Sequence, residues 1–100
     1  MDYEVVWSEP ASADLEAILR YIAQDNPSAS AAMRLEFLER ADQLRQLPLI
    51  GAIYERDRAG RTREILCRSY RIFYRVDATR KRVEILTVWH GARKEPRLPD

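Results

Sequence analysis

The feature that most limits the fold of this chain is the punctuation Asp25-Asn26-Pro27 between two stretches of helical apolar period. Before it, Leu15, Ile18, Leu19 and Ile22 repeat at i, i+3, i+4 and i+7, which predicts one apolar stripe on a helix over residues 11–25. After it, Met33, Phe37, Leu38, Ala41 and Leu44 repeat the period and predict a second helix over residues 28–47. Ser8-Glu9-Pro10 supplies a cap and a first-turn proline for the first helix, and Asn26-Pro27 does the same for the second. Pro48 and Gly51 stop the second helix. With so short a joint the two helices must run antiparallel, as a hairpin.

Strand signals flank this hairpin. Tyr3-Glu4-Val5-Val6-Trp7 is short, β-branched and aromatic. Residues 49–62 read as a charged, glycine-broken loop, and three strand-like runs follow at 63–67, 70–76 and 82–90. In the second run Tyr70, Ile72, Tyr74 and Val76 share one face, and Arg71, Phe73 and Arg75 share the other. The third run is nearly continuous in apolar character, which suits a central strand covered on both sides. The expected fold is α+β, in the order β-α-α-β-β-β, with the hairpin on one face of a small, mostly antiparallel sheet. At 100 residues there is room for one domain, with residues 94–100 as a loose tail.

Charge is divided along the chain. Residues 1–53 carry nine acidic and four basic side chains, and residues 54–100 carry seven acidic and thirteen basic. Almost all the basic residues are arginine, only Lys81 and Lys94 being lysine. Arginine grips phosphate or carboxylate through a planar fork, so the second half suits RNA, DNA or an acidic protein partner. A solvated face explains the same arginines without a partner. One cysteine, Cys67, and one histidine, His90, leave no basis for a disulfide, a cysteine zinc site or a multi-histidine metal cluster, and there is no Gly-rich phosphate loop. The reading is therefore no metal and no cofactor. No apolar run is long enough to span a membrane. The acidic start Met1-Asp2-Tyr3-Glu4 is unlike a secretory signal, which predicts a cytoplasmic protein.

The order of motifs resembles the RelE/ParE superfamily of bacterial type II toxin–antitoxin toxins across roughly residues 3–94. The parts are Trp7-Ser8, Ala13-Asp14-Leu15-Glu16, Tyr21-Ile22, Asn26-Pro27, Leu47-Pro48 with Gly51, Arg63-Glu64, Tyr70-Arg71-Ile72-Phe73-Tyr74-Arg75-Val76, and Val83 through Arg93. The resemblance implies a small toxin neutralised by a cognate antitoxin in a hetero-oligomer, with operator DNA reached only through the antitoxin. It also implies one of two targets: DNA gyrase for ParE-like members, or messenger RNA on the ribosome for RelE-like endoribonucleases.

Metal-free RNA cleavage needs a base, a cation on the phosphorane and an acid for the leaving oxygen. The resemblance puts Arg71 on the scissile phosphate and Arg93 near a second basic position. His90 is a candidate acid or base, since imidazole is the side chain suited to either role near neutral pH. Glu64 is a further candidate base. Structural roles compete for each: an ion pair for Arg71 and Glu64, a strand-end hydrogen bond for His90, core packing for Tyr70 and Tyr74. Arg61, Arg63, Phe73 and Arg75 are candidates for contact with the target or the antitoxin. Two departures count against the nuclease. Gly91 rather than tyrosine follows His90, and arginines stand where studied nucleases carry lysines. The ending His90-Gly91-Ala92-Arg93 and the long hairpin favour the ParE-like side, a gyrase inhibitor. A ribosome-dependent endoribonuclease, or a member that only binds antitoxin, is the alternative.

Overall fold

The computed structural model describes residues 2–91 and Leu98. Strand β1 (Glu4–Trp7) leads into helix α1 (Glu9–Asp25). The Ser8 hydroxyl caps α1 by accepting from the Ala11 amide at 3.2 Å. Asn26 alone separates α1 from α2 (Pro27–Asp42) and serves both helices. Its amide donates to the Ile22 carbonyl at 2.9 Å, and its side-chain oxygen accepts from the Ala29 amide at 3.0 Å. The predicted hairpin is thus present, with a one-residue joint. A buried Ser30 hydroxyl donates to the Leu19 carbonyl at 2.6 Å, and Arg34 forks onto Glu16 across the exposed side. The second helix is shorter than its period predicts. It tightens at Gln43–Arg45 into a 3-10 turn, which drives Leu44 fully into the core.

Four further strands follow: β2 (Ala52–Ile53), β3 (Thr62–Cys67), β4 (Tyr70–Asp77) and β5 (Arg82–His90). The sheet order is β1-β5-β4-β3-β2. Only β1 and β5 are parallel: the helical hairpin carries the chain from β1 at one edge to β2 at the other, and β2 to β5 return across the sheet as an antiparallel meander that ends beside β1. The central placement expected of the third run holds, since β5 lies between β1 and β4. Strand β2 corrects the reading of residues 49–62 as loop. Two residues are too few to show a period, and their pairing with Arg63 and Glu64 is set by tertiary contact.

The main core lies between the hairpin and the sheet. Leu15, Leu19, Phe37 and Leu44 from the helical side meet Ile65, Ile72, Tyr74, Val83, Ile85 and Val88 from the strands. Phe73, Tyr54 and Leu86 are also buried but stand outside that core. One irregularity decides where β5 side chains point. Phe73 pairs with Thr87 and Tyr74 with Ile85, so Leu86 is an extra residue, a β-bulge. The Asp14 carboxylate of α1 holds this bulge, accepting from the Thr87 hydroxyl and from the Val88 amide at 3.2 Å. No helix among the described residues is long and apolar enough to cross a membrane.

Candidate functional site

The sheet face away from the hairpin carries Arg71, Phe73 and Arg75 on β4, as the alternation of that strand requires, with Glu64 and Thr62 beside them on β3. Arg71 forks onto Glu64, Nε to Oε1 at 2.9 Å and Nη2 to Oε2 at 3.2 Å. Both side chains are mostly covered, at 16% and 21% exposure. The Arg71 guanidinium also lies 4.8 Å from the Phe73 ring centre and 5.6 Å from that of Tyr54. These two rings meet edge to face at 4.9 Å. An arginine held by a carboxylate and two rings keeps one orientation. Two sequence candidates, Arg71 and Glu64, therefore come together.

Phe73 requires correction as a contact residue. It is fully buried, with the Arg71 guanidinium over its ring and Tyr54 meeting it edge to face, so no ring face is offered to a base or a partner. Tyr54 was not singled out from the sequence, because it sits in a charged stretch without a strand period. Arg63 projects to the helix side and spends its guanidinium on the backbone. Its Nη1 donates to the carbonyls of Gly51 at 2.7 Å and Leu49 at 3.2 Å. Arg61 is exposed.

Arg75 belongs to a chain of polar contacts. Its Nε donates to the Thr62 hydroxyl at 3.2 Å, and that hydroxyl donates to Asp57 at 2.6 Å. Asp57 also accepts from the amides of Ala59 at 3.1 Å and Arg61 at 3.2 Å. The Thr62 hydroxyl chiefly, then these amides and the Arg75 charge, hold the Asp57 carboxyl below its ordinary range against a smaller desolvation effect. Asp57 thereby fixes the turn that delivers Arg61 and Thr62 to the start of β3.

His90 lies elsewhere. It pairs with Tyr70 across β4 and β5, and the two rings meet edge to face at 5.1 Å. Tyr70 in turn packs on Phe37 of α2, which places His90 on the helix side. Arg71 instead pairs with Trp89, on the opposite side. The Leu86 bulge is the cause. Strict alternation from Ile85 would put His90 on the Arg71 face of the sheet, and one extra residue puts Trp89 there instead. Arg93 lies outside the described residues, as does most of the predicted tail. The constellation present is thus an arginine–carboxylate–aromatic cluster, with the single imidazole behind the sheet.

The comparisons with known proteins agree with this architecture. Residues 5–95 match the family described as the ParE toxin of the type II toxin–antitoxin system parDE. Among solved structures, the toxin–antitoxin complex RelBE2 of Mycobacterium tuberculosis is 28% identical, with a TM-score of 0.63 over 90% of this chain and 99% of that one. A chromosomal ParDE system of P. aeruginosa gives 23% identity and a TM-score of 0.73, over 88% of this chain and 95% of that one. A variant of the E. coli toxin RelE in the free state gives 20% identity and a TM-score of 0.65, over 92% and 86% respectively. The last two speak for the fold alone. Among curated proteins no sequence matches the chain. With the family match running from within β1 to beyond β5, over a hairpin-on-sheet fold, the chain belongs to the ParE toxins of type II toxin–antitoxin systems.

Proposed function

We propose that this chain arrests growth by binding DNA gyrase, as ParE-like toxins do, rather than by cutting messenger RNA. The observation that carries the reading is the separation of Arg71 from His90 by the sheet itself. Metal-free cleavage needs a cation and a proton donor on one phosphate. Side chains projecting from opposite faces of a sheet do not converge on one group. The Arg71 charge is moreover matched by Glu64 at 2.9 Å. Inhibition by binding asks only for a surface, so it needs no such convergence.

The partner on this reading is a cognate antitoxin carrying an acidic, amphipathic segment, in a hetero-oligomer with the toxin. Support comes from relatives solved as toxin–antitoxin complexes, the mycobacterial RelBE2 and the RelE–RelB pair of Pyrococcus horikoshii. Operator DNA is then contacted only through the antitoxin, and the place of action is the cytoplasm. The test uses the purified chain in two assays. We expect loss of gyrase supercoiling, and intact messenger RNA in a translating extract followed by primer extension. Ribosome-dependent cuts within codons, with gyrase unaffected, would overturn the reading in favour of the endoribonuclease.

A further inference from the structure

Along one flank of α1, Asp14, Ile18, Tyr21 and Asp25 follow at i, i+4, i+7 and i+11. The stripe runs carboxylate, aliphatic, aromatic, carboxylate. Tyr21 is 72% exposed and makes neither a hydrogen bond nor a ring contact among the described residues. The first three residues of the stripe border a cleft of about 550 Å³ between α1 and the end of β5, a size suited to a small ligand. Tyr70, Val88 and His90 line it from the strands.

Both ends of the stripe hold negative charge that the fold leaves unmatched. The Thr87 hydroxyl and the Val88 amide donate to the same oxygen of Asp14, Oδ2. Its Oδ1 accepts no hydrogen bond among the described residues. Asp25 lies in the last turn of α1, where the helix dipole is negative and no basic side chain offsets it. Neither carboxylate is in an ion pair among the described residues, whereas Glu16 on the same helix is forked by Arg34. From residue 14 to residue 25 the helix rises by roughly 16 Å, at ~1.5 Å per residue.

These features select the guest. Asp14 is the one carboxylate of the cleft and neither lysine nor arginine lines it, so an anion is disfavoured and a cation favoured. A metal ion wants several hard donors together, and no group of three His, Cys, Asp or Glu among the described residues could hold one. An apolar helix laid here would strip water from both carboxylates and return nothing. A long organic cation meets every part: ammonium groups on the carboxylates and over the Tyr21 ring, methylenes on Ile18 and Ala17. We infer that this flank of α1 binds a linear aliphatic polyamine, with one terminal ammonium at Asp14, the other at Asp25, and the methylene chain across Ile18 and Tyr21. An extended tetramine has about the length of the stripe. The site stands apart from the Arg71 cluster and does not depend on which target the toxin acts on.

The test is an NMR titration of the full-length, nitrogen-15-labelled chain with spermine at fixed ionic strength. We expect amide shifts along α1 from Asp14 to Asp25 and at Val88. Tyr21→Ala and Asp25→Asn, both at exposed positions where folding is not at stake, should each weaken binding at least fivefold. Asp14→Asn should do the same while keeping an acceptor for the Val88 amide. The diamine putrescine, too short to reach both carboxylates, should bind at least tenfold more weakly than spermine. Equal binding of putrescine, the same shifts with magnesium, shifts centred on other acidic positions such as Glu39 and Asp42, or unaltered affinity in Tyr21→Ala or Asp25→Asn would overturn the assignment. So would the absence of any shift at millimolar spermine.

Discussion

Arg71 and His90 project from opposite faces of the sheet, although their positions on β4 and β5 differ by a single step of the ladder. Tyr70 faces His90 and Trp89 faces Arg71, so the offset is one residue and the consequence is a change of side. A function needing both groups at once would require β5 to shift its register. A function needing a rigid, partly covered arginine is served as the chain stands.

His90→Ala is therefore expected to leave growth arrest and gyrase inhibition within about twofold of wild type. The side chain packs edge-on against Tyr70, and such a contact contributes about 0.5–1.5 kcal/mol. Dose–response curves for supercoiling, with a thermal melt to confirm folding, check this. Loss of growth arrest by a well-folded His90→Ala chain would reinstate the imidazole as an acid or base.

Arg71→Ala acts through a different route. It strands the Glu64 carboxylate, 21% exposed, across the ladder from Phe73. Removing one partner of a largely covered pair leaves a charge without compensation, and the residual exposure lets water recover part of it. The expected loss is about 1–3 kcal/mol in urea denaturation. The double variant Arg71→Leu with Glu64→Leu should recover most of that loss, because the uncompensated charge goes with it. A cycle showing no coupling between the two positions would contradict the geometry.

Asp57 gives a pH dependence with a definite sign. Its folded carboxyl titrates below the unfolded one, chiefly through the Thr62 hydroxyl. The stabilisation it provides is complete above the unfolded value of about 4. It is lost as pH falls through the lower folded value. Thr62→Val should raise the Asp57 titration toward the ordinary range and flatten the acid limb of the stability curve. Carbon-detected NMR titration of the carboxyl reads the shift directly.

Tyr74 and Gly51 form the opposite case. The buried Tyr74 hydroxyl accepts from the Gly51 amide at 2.8 Å, and burial pushes its ionisation upward. The unfolded phenol ionises near pH ~10 while the folded one resists, so stability is present below that pH and lost above it. Tyr74→Phe removes the acceptor and leaves a buried amide bare, costing about 1–3 kcal/mol. Gly51→Ala should cost at least as much. A Cβ there would stand 2.5 Å from the Tyr74 oxygen and 2.7 Å from the Glu64 carbonyl, which is backbone and cannot turn aside. Urea melts of the two variants, and a wild-type melt series from pH 8 to 11, check all three statements.

The sequence made the hairpin legible through Ser8, Asn26 and the two prolines, because caps and first-turn prolines act locally. It also placed Arg71 and Arg75 opposite Tyr70 and Tyr74, because β4 alternates without interruption up to its neighbour's bulge. What it concealed arises between strands. Strand β2 exists only through its pairing with β3, and Tyr54 reaches Phe73 only because of that pairing. The bulge at Leu86 hides within a continuous apolar run, where an extra residue leaves no mark on the pattern. Without the bulge Arg71 and His90 share a face, and with it they do not.

The bulge itself can be tested at Asp14. Its carboxylate accepts from the Thr87 hydroxyl and the Val88 amide, just past the point where β1 stops covering the edge of β5. Asp14→Ala leaves that amide without its carboxylate partner at a half-covered position, and the expected cost is about 1–3 kcal/mol. Asp14→Asn keeps one acceptor oxygen and should lose less. Hydrogen exchange separates a local effect from a global one. If the carboxylate holds the bulge, the Val88 amide in Asp14→Ala exchanges faster by more than global destabilisation accounts for, while amides in β3 follow the global change. Uniform acceleration across the sheet would mean that Asp14 only fastens α1 to the fold, and that the side to which His90 points is set by packing around Leu86 instead.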